Sequence, residues 1–430
     1  MSAGQAVHRG AARRVGRNAL ARLAAQAWAR GMALAITALV ARAVGPQGLG
    51  QYALTVAVVG VAGAVADLGL NIYLTRQTAQ TFDRAAQQRL FSDVFWLKLA
   101  LATAGWLALA SAAAVASAMD GRLGQEIGPL LLLGGLALWP EAAMGAMAAL
   151  IVGRGRMEIS SAAAALSRTL ALVASAVALR LGQGVGGVLV GSALASLVGA
   201  LTLAGVLARW RALPQRRLSP AAWRSALAEA YPFALTGIIA MVYMRVDVVL
   251  LGWWRGAATA GWYSAGYRLW EAMGLIPGSL LDALFPELSR LWQADRRGLE
   301  RLVPQARRAM AVGSAALALA AALASGWLIA LFYGDPSAYA PARAVFLVLV
   351  WALPATFLYL LSGHLLYAAG QQRAVTRAMA AVALLNLVLN LWAIPRWGAL
   401  GAAAVALASE WTLWALLAWQ VRRRVRYDSP

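Results

Sequence analysis

Apolar residues fill this chain in long blocks separated by short polar connectors. A helix that spans a bilayer takes roughly 20 predominantly apolar residues. The blocks divide into about twelve segments of that length. They cover 20–44, 51–74, 91–119, 127–152, 159–181, 185–208, 227–252, 260–288, 306–333, 342–368, 375–394 and 397–421. The pattern predicts an all-α polytopic membrane protein with about twelve transmembrane helices.

Charge sharpens the picture. Only 13% of the 430 residues are charged, yet the net charge is +21. Those figures agree only if the charge sits between the apolar blocks. One set of connectors holds Arg9, Arg13, Arg14 and Arg17, then Arg76, Arg84 and Arg89, then Arg154 and Arg156, then Arg209, Arg211, Arg216, Arg217 and Arg224. It continues through Arg290, Arg296 and Arg297 and Arg373 and Arg377 to Arg422, Arg423, Arg424 and Arg426. The alternate set is short and holds mainly Arg122, Arg255 and Arg396. By the positive-inside rule the first set is cytoplasmic, so both termini are cytoplasmic and the span number is even. The outer connectors leave no room for an external catalytic domain, which favours a transporter over an enzyme. Residues 1–17 are polar and basic and the first apolar block is long, so it reads as a retained span, not a leader.

Cysteine is absent, which removes disulfides, thiolate metal sites and a cysteine nucleophile. Histidine is limited to His8 and His364, so no metal site is expected. Lys98 is the only lysine, which reads as codon bias beside the Ala and Leu excess. The arginines are dispersed, with no interleaved aromatic platform, which argues against nucleic acid. They suit the anionic headgroups of a cytoplasmic leaflet.

Glycines repeat in order. Gly50-Gln51-Tyr52 matches Gly261-Trp262-Tyr263, 211 positions on. Gly155 matches Gly370 at 215, and Gly184 and Gly187 match Gly398 and Gly401 at 214. Near-equal offsets imply a duplicated six-helix unit, an arrangement that transporters use to alternate access. The expected division is an N-terminal lobe over 1–208, a basic cytoplasmic linker over 209–226, and a C-terminal lobe with a basic tail over 227–430. Part of the linker, 221–229, has the pattern of an interfacial amphipathic helix.

Charges within spans are costly and point to function. The candidate cavity cations are Arg30, Arg168, Arg245 and Arg268, and the candidate cavity or coupling acids are Asp67, Glu141, Asp247, Glu271 and Glu410; Asp282 is also in a span. Arg245 and Asp247 are two apart and point roughly 200° from each other on a helix. Arg268 and Glu271 have the i,i+3 spacing of a local ion pair. Arg30 and Arg168 lack an acid one turn away and suit a diphosphate. The blander alternatives are that Arg30 snorkels or pairs with Asp67, and that Arg168 lies near the interface. No catalytic set and no cation site emerges. The run Gly182-Gln183-Gly184-Val185-Gly186-Gly187 lacks the strand and lysine of a nucleotide loop and reads as a tight hairpin.

Several motifs in order carry a family resemblance: Gly45-Pro46-Gln47-Gly48-Leu49-Gly50-Gln51-Tyr52, Ala66-Asp67-Leu68-Gly69-Leu70, Arg245-Val246-Asp247, Gly261-Trp262-Tyr263-Ser264-Ala265 and Phe285-Pro286-Glu287-Leu288-Ser289. So do Leu385-Asn386-Leu387-Val388-Leu389-Asn390 and Gly398-Ala399-Leu400-Gly401-Ala402. Together these resemble the polysaccharide transporter, or O-antigen flippase-like, family, whose superfamily includes multidrug and toxin extrusion transporters and lipid II flippases. The resemblance implies two six-helix lobes in a V-shaped, alternating-access fold in a bacterial inner membrane. It implies a lipid-linked glycan substrate, an undecaprenyl-diphosphate-linked O-antigen or exopolysaccharide unit, and work beside other polysaccharide assembly proteins. No cofactor is implied, though some relatives couple to H+ or Na+. The rival function is a cation-coupled multidrug antiporter.

Overall fold

The computed structural model describes the backbone of residues 3–119 and 123–424, and the side chains of 27–118 and 124–423 except 236, 242, 275, 276, 279, 282 and 283. The expectation for Asp282 therefore lies outside the described residues.

Fifteen α-helices follow in order: α1 (Ala3–Asp67), α2 (Leu70–Gln80), α3 (Arg84–Met119), α4 (Leu123–Gly135), α5 (Leu138–Gly153), α6 (Met157–Arg180), α7 (Gly184–Arg209) and α8 (Pro220–Arg255). Then come α9 (Ala257–Met273), α10 (Leu275–Ala294), α11 (Arg296–Leu323), α12 (Ser325–Tyr333), α13 (Ala340–Leu349), α14 (Leu353–Ala368) and α15 (Gln372–Arg424). Ala- and Leu-rich blocks favour helix, and inside a bilayer the helix satisfies its own backbone.

Among the described residues, eight stretches are long and apolar enough to cross a membrane, or nine if the bent α8 counts as one. Two of them, Ala27–Gln80 and Gln372–Arg423, run for 54 and 52 residues. At 1.5 Å per residue each extends about 80 Å, more than twice a hydrocarbon core of roughly 30 Å. Each is broken at a glycine with left-handed φ, Gly45 at 66° and Gly398 at 57°. Each therefore holds two crossings. With α8, these make eleven crossings among the described residues, and α9 followed by α10 covers the segment 260–288 that the sequence pattern marks as a further span.

The chain forms two compact units. Unit 1 comprises Met1–Ala43 with Thr55–Met241, and unit 2 comprises Val44–Leu54 with Val242–Pro430. In unit 1, α6 and α7 pack through small residues. A Cβ at Gly191 would lie 2.9 Å from the Cβ of Ala174, and one at Gly199 3.0 Å from that of Ser167. Without a hydrophobic drive between helices in lipid, such close approach supplies the dispersion contacts that hold them. Large side chains on the outer face, Val173, Val177, Leu197 and Leu201, are exposed, as lipid contact requires.

The backbone carries the repeat seen in the glycines. Gly155 and Gly370 share φ values of 77° and 71°, and Gly184 and Gly398 share 58° and 57°. Gly45 and Gly256, 211 positions apart, have φ of 66° and 83° with ψ of −172° and 167°. Within unit 2 the equivalent glycines Gly50 and Gly261 meet: a Cβ on Gly50 would overlap the carbonyl of Ala257, and one on Gly261 the carbonyl of Pro46.

The expected linker differs in form. α8 begins at Pro220, so the 221–229 segment is the start of a longer helix and not a separate interfacial one. Residues 212–219 lie outside any helix and are fastened to α3. Trp96 Nε1 donates to Gln215 O at 2.8 Å, Gln215 N to Ser92 Oγ at 3.0 Å, and Arg217 pairs with Asp93 at 3.2 Å.

Candidate functional site

Unit 1 contains a charged cavity at membrane depth, built where two helices break. The first break follows Asp67. Leu68 and Gly69 both take left-handed φ, 44° and 72°, and end α1. A leucine there costs of order 1 kcal/mol or more. Glycine is required next, because a Cβ on Gly69 would lie 2.6 Å from the Cβ of Phe233. Asp67 is thus held at a helix end, with Asn71 in the first turn of α2. The second break separates α4 from α5 and puts Glu141 in the first turn of α5. A helix N-terminus favours a carboxylate.

Lys98, on α3, shares the cavity lining with both. Its Nζ donates to Asp67 Oδ1 at 2.6 Å and to Asn71 Oδ1 at 2.6 Å. Its side chain is 2% exposed and that of Asp67 is 29% exposed, so the pair is buried on the cation's side and open on the anion's. Gly145 makes the space: a Cβ there would lie 2.9 Å from Nζ. The cavity beside the pair measures about 250 Å³, and Gly60, Gly63, Asn71, Lys98, Glu141 and Met241 are among its walls. Glu141 is accessible within it, and the Arg168 charge acts on Glu141. An ammonium carries three donors, and two are taken here. Discontinuous helices that present charge at mid-membrane are the way transporters build binding sites.

Unit 2 holds its charges differently. Asp247, 6% exposed, accepts from Val248 N at 2.8 Å and from the Tyr263 hydroxyl. Glu410, also 6% exposed, accepts from Thr356 Oγ1 at 2.7 Å and, at 3.5 Å, from Tyr243 OH. Nearby, Asn386 Nδ2 donates to Ser409 Oγ at 3.0 Å, and Asn390 Nδ2 to Asn386 Oδ1 at 3.0 Å. Arg268 and Glu271 pair at 2.6 Å and are about one-fifth exposed. Among the described residues no three His, Cys, Asp or Glu gather as a metal site requires.

The family model described as polysaccharide biosynthesis protein matches residues 15–292, well over half of the chain. The chain belongs to the polysaccharide biosynthesis protein family. A second model, MatE, matches residues 232–392 of this family member. No curated protein matches it. Among solved structures it is similar to the lipid II flippase MurJ in an inward closed conformation, with 13% identity, TM-score 0.76, and coverage of 93% of this chain and 86% of that one. It is also similar to an inward-facing multidrug resistance MATE family transporter of the MOP superfamily, with 14% identity, TM-score 0.73, and coverage of 93% and 96%. A MOP superfamily transporter from Pyrococcus furiosus, titled for the reverse polarity of its binding pocket, gives 15% identity, TM-score 0.62, and coverage of 97% and 96%. At these identities the likeness establishes the two-lobe transporter fold.

Within this polysaccharide biosynthesis protein, the candidate residues fall into separate groups. Asp67 and Glu141 share the unit 1 cavity, with Arg168 exposed but electrostatically close to Glu141. The alternative that Arg30 counter-charges Asp67 is corrected: Lys98 does so, and Arg30 is exposed without an ion pair to the described residues. Arg245 is half-buried and acts electrostatically on Asp247, which is buried. Their neighbours differ, as the 200° offset requires. Codon bias accounts for the scarcity of lysine and says nothing of where Lys98 sits. Its signal was present in the sequence, since one lysine amid an arginine-only complement sits in an apolar block.

Proposed function

We propose that the protein is a flippase of the inner membrane of a bacterium, translocating a lipid-diphosphate-linked oligosaccharide by alternating access of two six-helix lobes, 1–208 and 227–430. Family membership supports glycan export, and the observation that carries the site is Lys98, buried in the wall of a cavity at the depth of the spans and paired with the more open Asp67. An incoming diphosphate competes with Asp67 for the ammonium, takes its third donor, and draws on the Arg168 charge. When the cavity is empty, Asp67 and Asn71 hold Lys98 in place, so the cation remains paired in both states. The 250 Å³ volume has room for a diphosphate but not for an oligosaccharide. The glycan and the prenyl chain therefore lie outside it.

The test is reconstitution into liposomes carrying a fluorescent polyprenyl-diphosphate oligosaccharide, with reduction by an impermeant quencher as readout. Lys98→Met should abolish translocation. The double variant Lys98→Met/Asp67→Asn keeps the fold neutral and stable and should also be inactive. A double variant that flips at the wild-type rate refutes the role of Lys98.

A second reading is a cation-coupled small-molecule antiporter. It is favoured by the MatE match over 232–392 and by the two carboxylates, Asp247 and Glu410, buried in that region. Proton- or sodium-driven efflux of a cationic dye from proteoliposomes, absent in Glu410→Gln, would support it over the flippase.

A further inference from the structure

At one end of unit 1, three arginine-bearing connectors converge on a second cavity, remote in sequence from the charges above. Its volume is about 710 Å³, and it is lined by Arg84, Arg154, Arg156, Arg209 and Arg211, with no acid among its lining residues. Arg156 Nε is paired with Glu158 Oε1 at 2.6 Å. The other four guanidinium groups have no carboxylate partner among the described residues. Like charges are also crowded: burial, then the neighbouring Arg84, holds the Arg154 guanidinium below its usual pKa. Such crowding is unfavourable unless an anion relieves it.

The pocket is built, not merely a loose surface. Arg154 Nε donates to Gln87 Oε1 at 3.0 Å, and Gln87 Nε2 is fixed to Thr78 O at 3.0 Å and Thr81 O at 2.7 Å. The Trp210 ring lies 5.9 Å from the Arg154 guanidinium carbon. Arg211 takes left-handed φ, 52°, at a helix end where glycine is the usual residue. Thr78, 1% exposed, lines the cavity and its buried Oγ1 has no hydrogen-bond partner among the described residues. Arginines at the ends of α5 and α7 also suit the helix dipoles. That does not explain Arg84, which opens α3 at the end that repels cations.

Depth identifies the occupant. The cavity walls sit where apolar spans stop: spans end at Gln80, Gly153 and Arg209, and another begins at Arg84. This is the level of lipid headgroups, on the face whose arginines the positive-inside rule assigns to the anionic cytoplasmic leaflet. Phe82, on the rim, is 96% exposed, an apolar ring offered to acyl chains. We propose that this pocket binds the phosphate of an anionic phospholipid headgroup, with Arg84, Arg154, Arg209 and Arg211 as phosphate donors and Phe82 against the lipid chain. The site is independent of the flippase reading and serves as an anchoring site in the leaflet.

The experiment compares lipid retention by native mass spectrometry of the full chain released from detergent micelles. The micelles are doped with phosphatidylglycerol or cardiolipin, or with phosphatidylcholine. Wild-type protein should retain the anionic lipids selectively. The triple variant Arg84→Gln/Arg209→Gln/Arg211→Gln should retain them roughly a hundredfold less, at about fivefold per guanidinium. The control Arg297→Gln/Arg301→Gln/Arg308→Gln removes the same charge elsewhere and should behave as wild type. Equal loss in both triples reduces the effect to net charge and overturns the site. Retention of phosphatidylcholine equal to the anionic lipids also overturns it. Inorganic pyrophosphate, added at matched ionic strength without lipid, should leave the Tm unchanged. A rise equal to that produced by the lipid would assign the pocket to a free phosphate and overturn the lipid.

Discussion

The two units hide charge by opposite means. In unit 1 a full ion pair, Lys98 with Asp67, sits on a cavity wall with a second carboxylate, Glu141, open to the same space. In unit 2 the buried carboxylates Asp247 and Glu410 are each held by hydroxyl donors, without an ion pair among the described residues. Across the two units the backbone matches at Gly155 and Gly370 and at Gly184 and Gly398. The glycine conformations therefore match where the polar interiors differ. An ion pair with a spare donor is poised to exchange one anion for another. A carboxylate wrapped in hydroxyls is insulated, and a change in its protonation is the event open to it.

That contrast can be broken most sharply at Lys98. Lys98→Met strands Asp67 and should cost about 3–5 kcal/mol of stability, read as a fall in the detergent melting temperature. Adding Asp67→Asn should recover most of that loss, since removing both partners leaves no orphaned charge. A single variant as stable as wild type would mean that the pair carries no structural weight.

Next in size is the glycine contact of unit 2. Gly261→Val forces a side chain into the Pro46 carbonyl and should cost about 1–3 kcal/mol by overpacking. The equivalent change at Gly155, where a Cβ meets nothing within 4 Å, meets only the strain of its φ of 77°. Comparable melting temperatures for the two variants would argue against the close approach.

Unit 2's insulated carboxylate predicts a gentler response. Glu410→Ala leaves Thr356 and Tyr243 without their acceptor, for about 1–3 kcal/mol, whereas Glu410→Gln keeps an acceptor and should cost under about 1 kcal/mol. If both variants fall equally, the negative charge itself is essential to the fold. Smallest is Arg268→Ala: its pair with Glu271 is partly exposed, so the expected loss is under about 1 kcal/mol. A larger loss would place the pair in the unit's core.

Much of the architecture was legible in the sequence, because a bilayer makes span length and connector charge readable without tertiary information. Two of the helix breaks were legible too: Gly45-Pro46 and Gly398 separate apolar blocks that the folded chain bends at those residues, whereas the breaks after Asp67 and between α4 and α5 fall inside the predicted spans 51–74 and 127–152. The interior pairings were not. Lys98 and Asp67 are 31 positions apart on different helices, and Thr356 and Glu410 are 54 apart, so no helical period links them. Arg268 with Glu271 was legible, since one turn of helix brings them together. Arg30 matches Asp67 in charge and depth, the alternative to its anion-binding role, but helix packing, which periodicity does not encode, sets Lys98 against Asp67.

The meeting of Gly50 with Gly261 has a bearing on ancestry. Residues that correspond across the duplication touch one another, and each needs the same absence of a side chain. Two separate copies of a half-length protein, paired head to head about a twofold axis, make that contact with one glycine against its own image. Such an isologous dimer needs only gene fusion to become a single chain. The glycine pair is the contact that such a fusion would carry into the single chain.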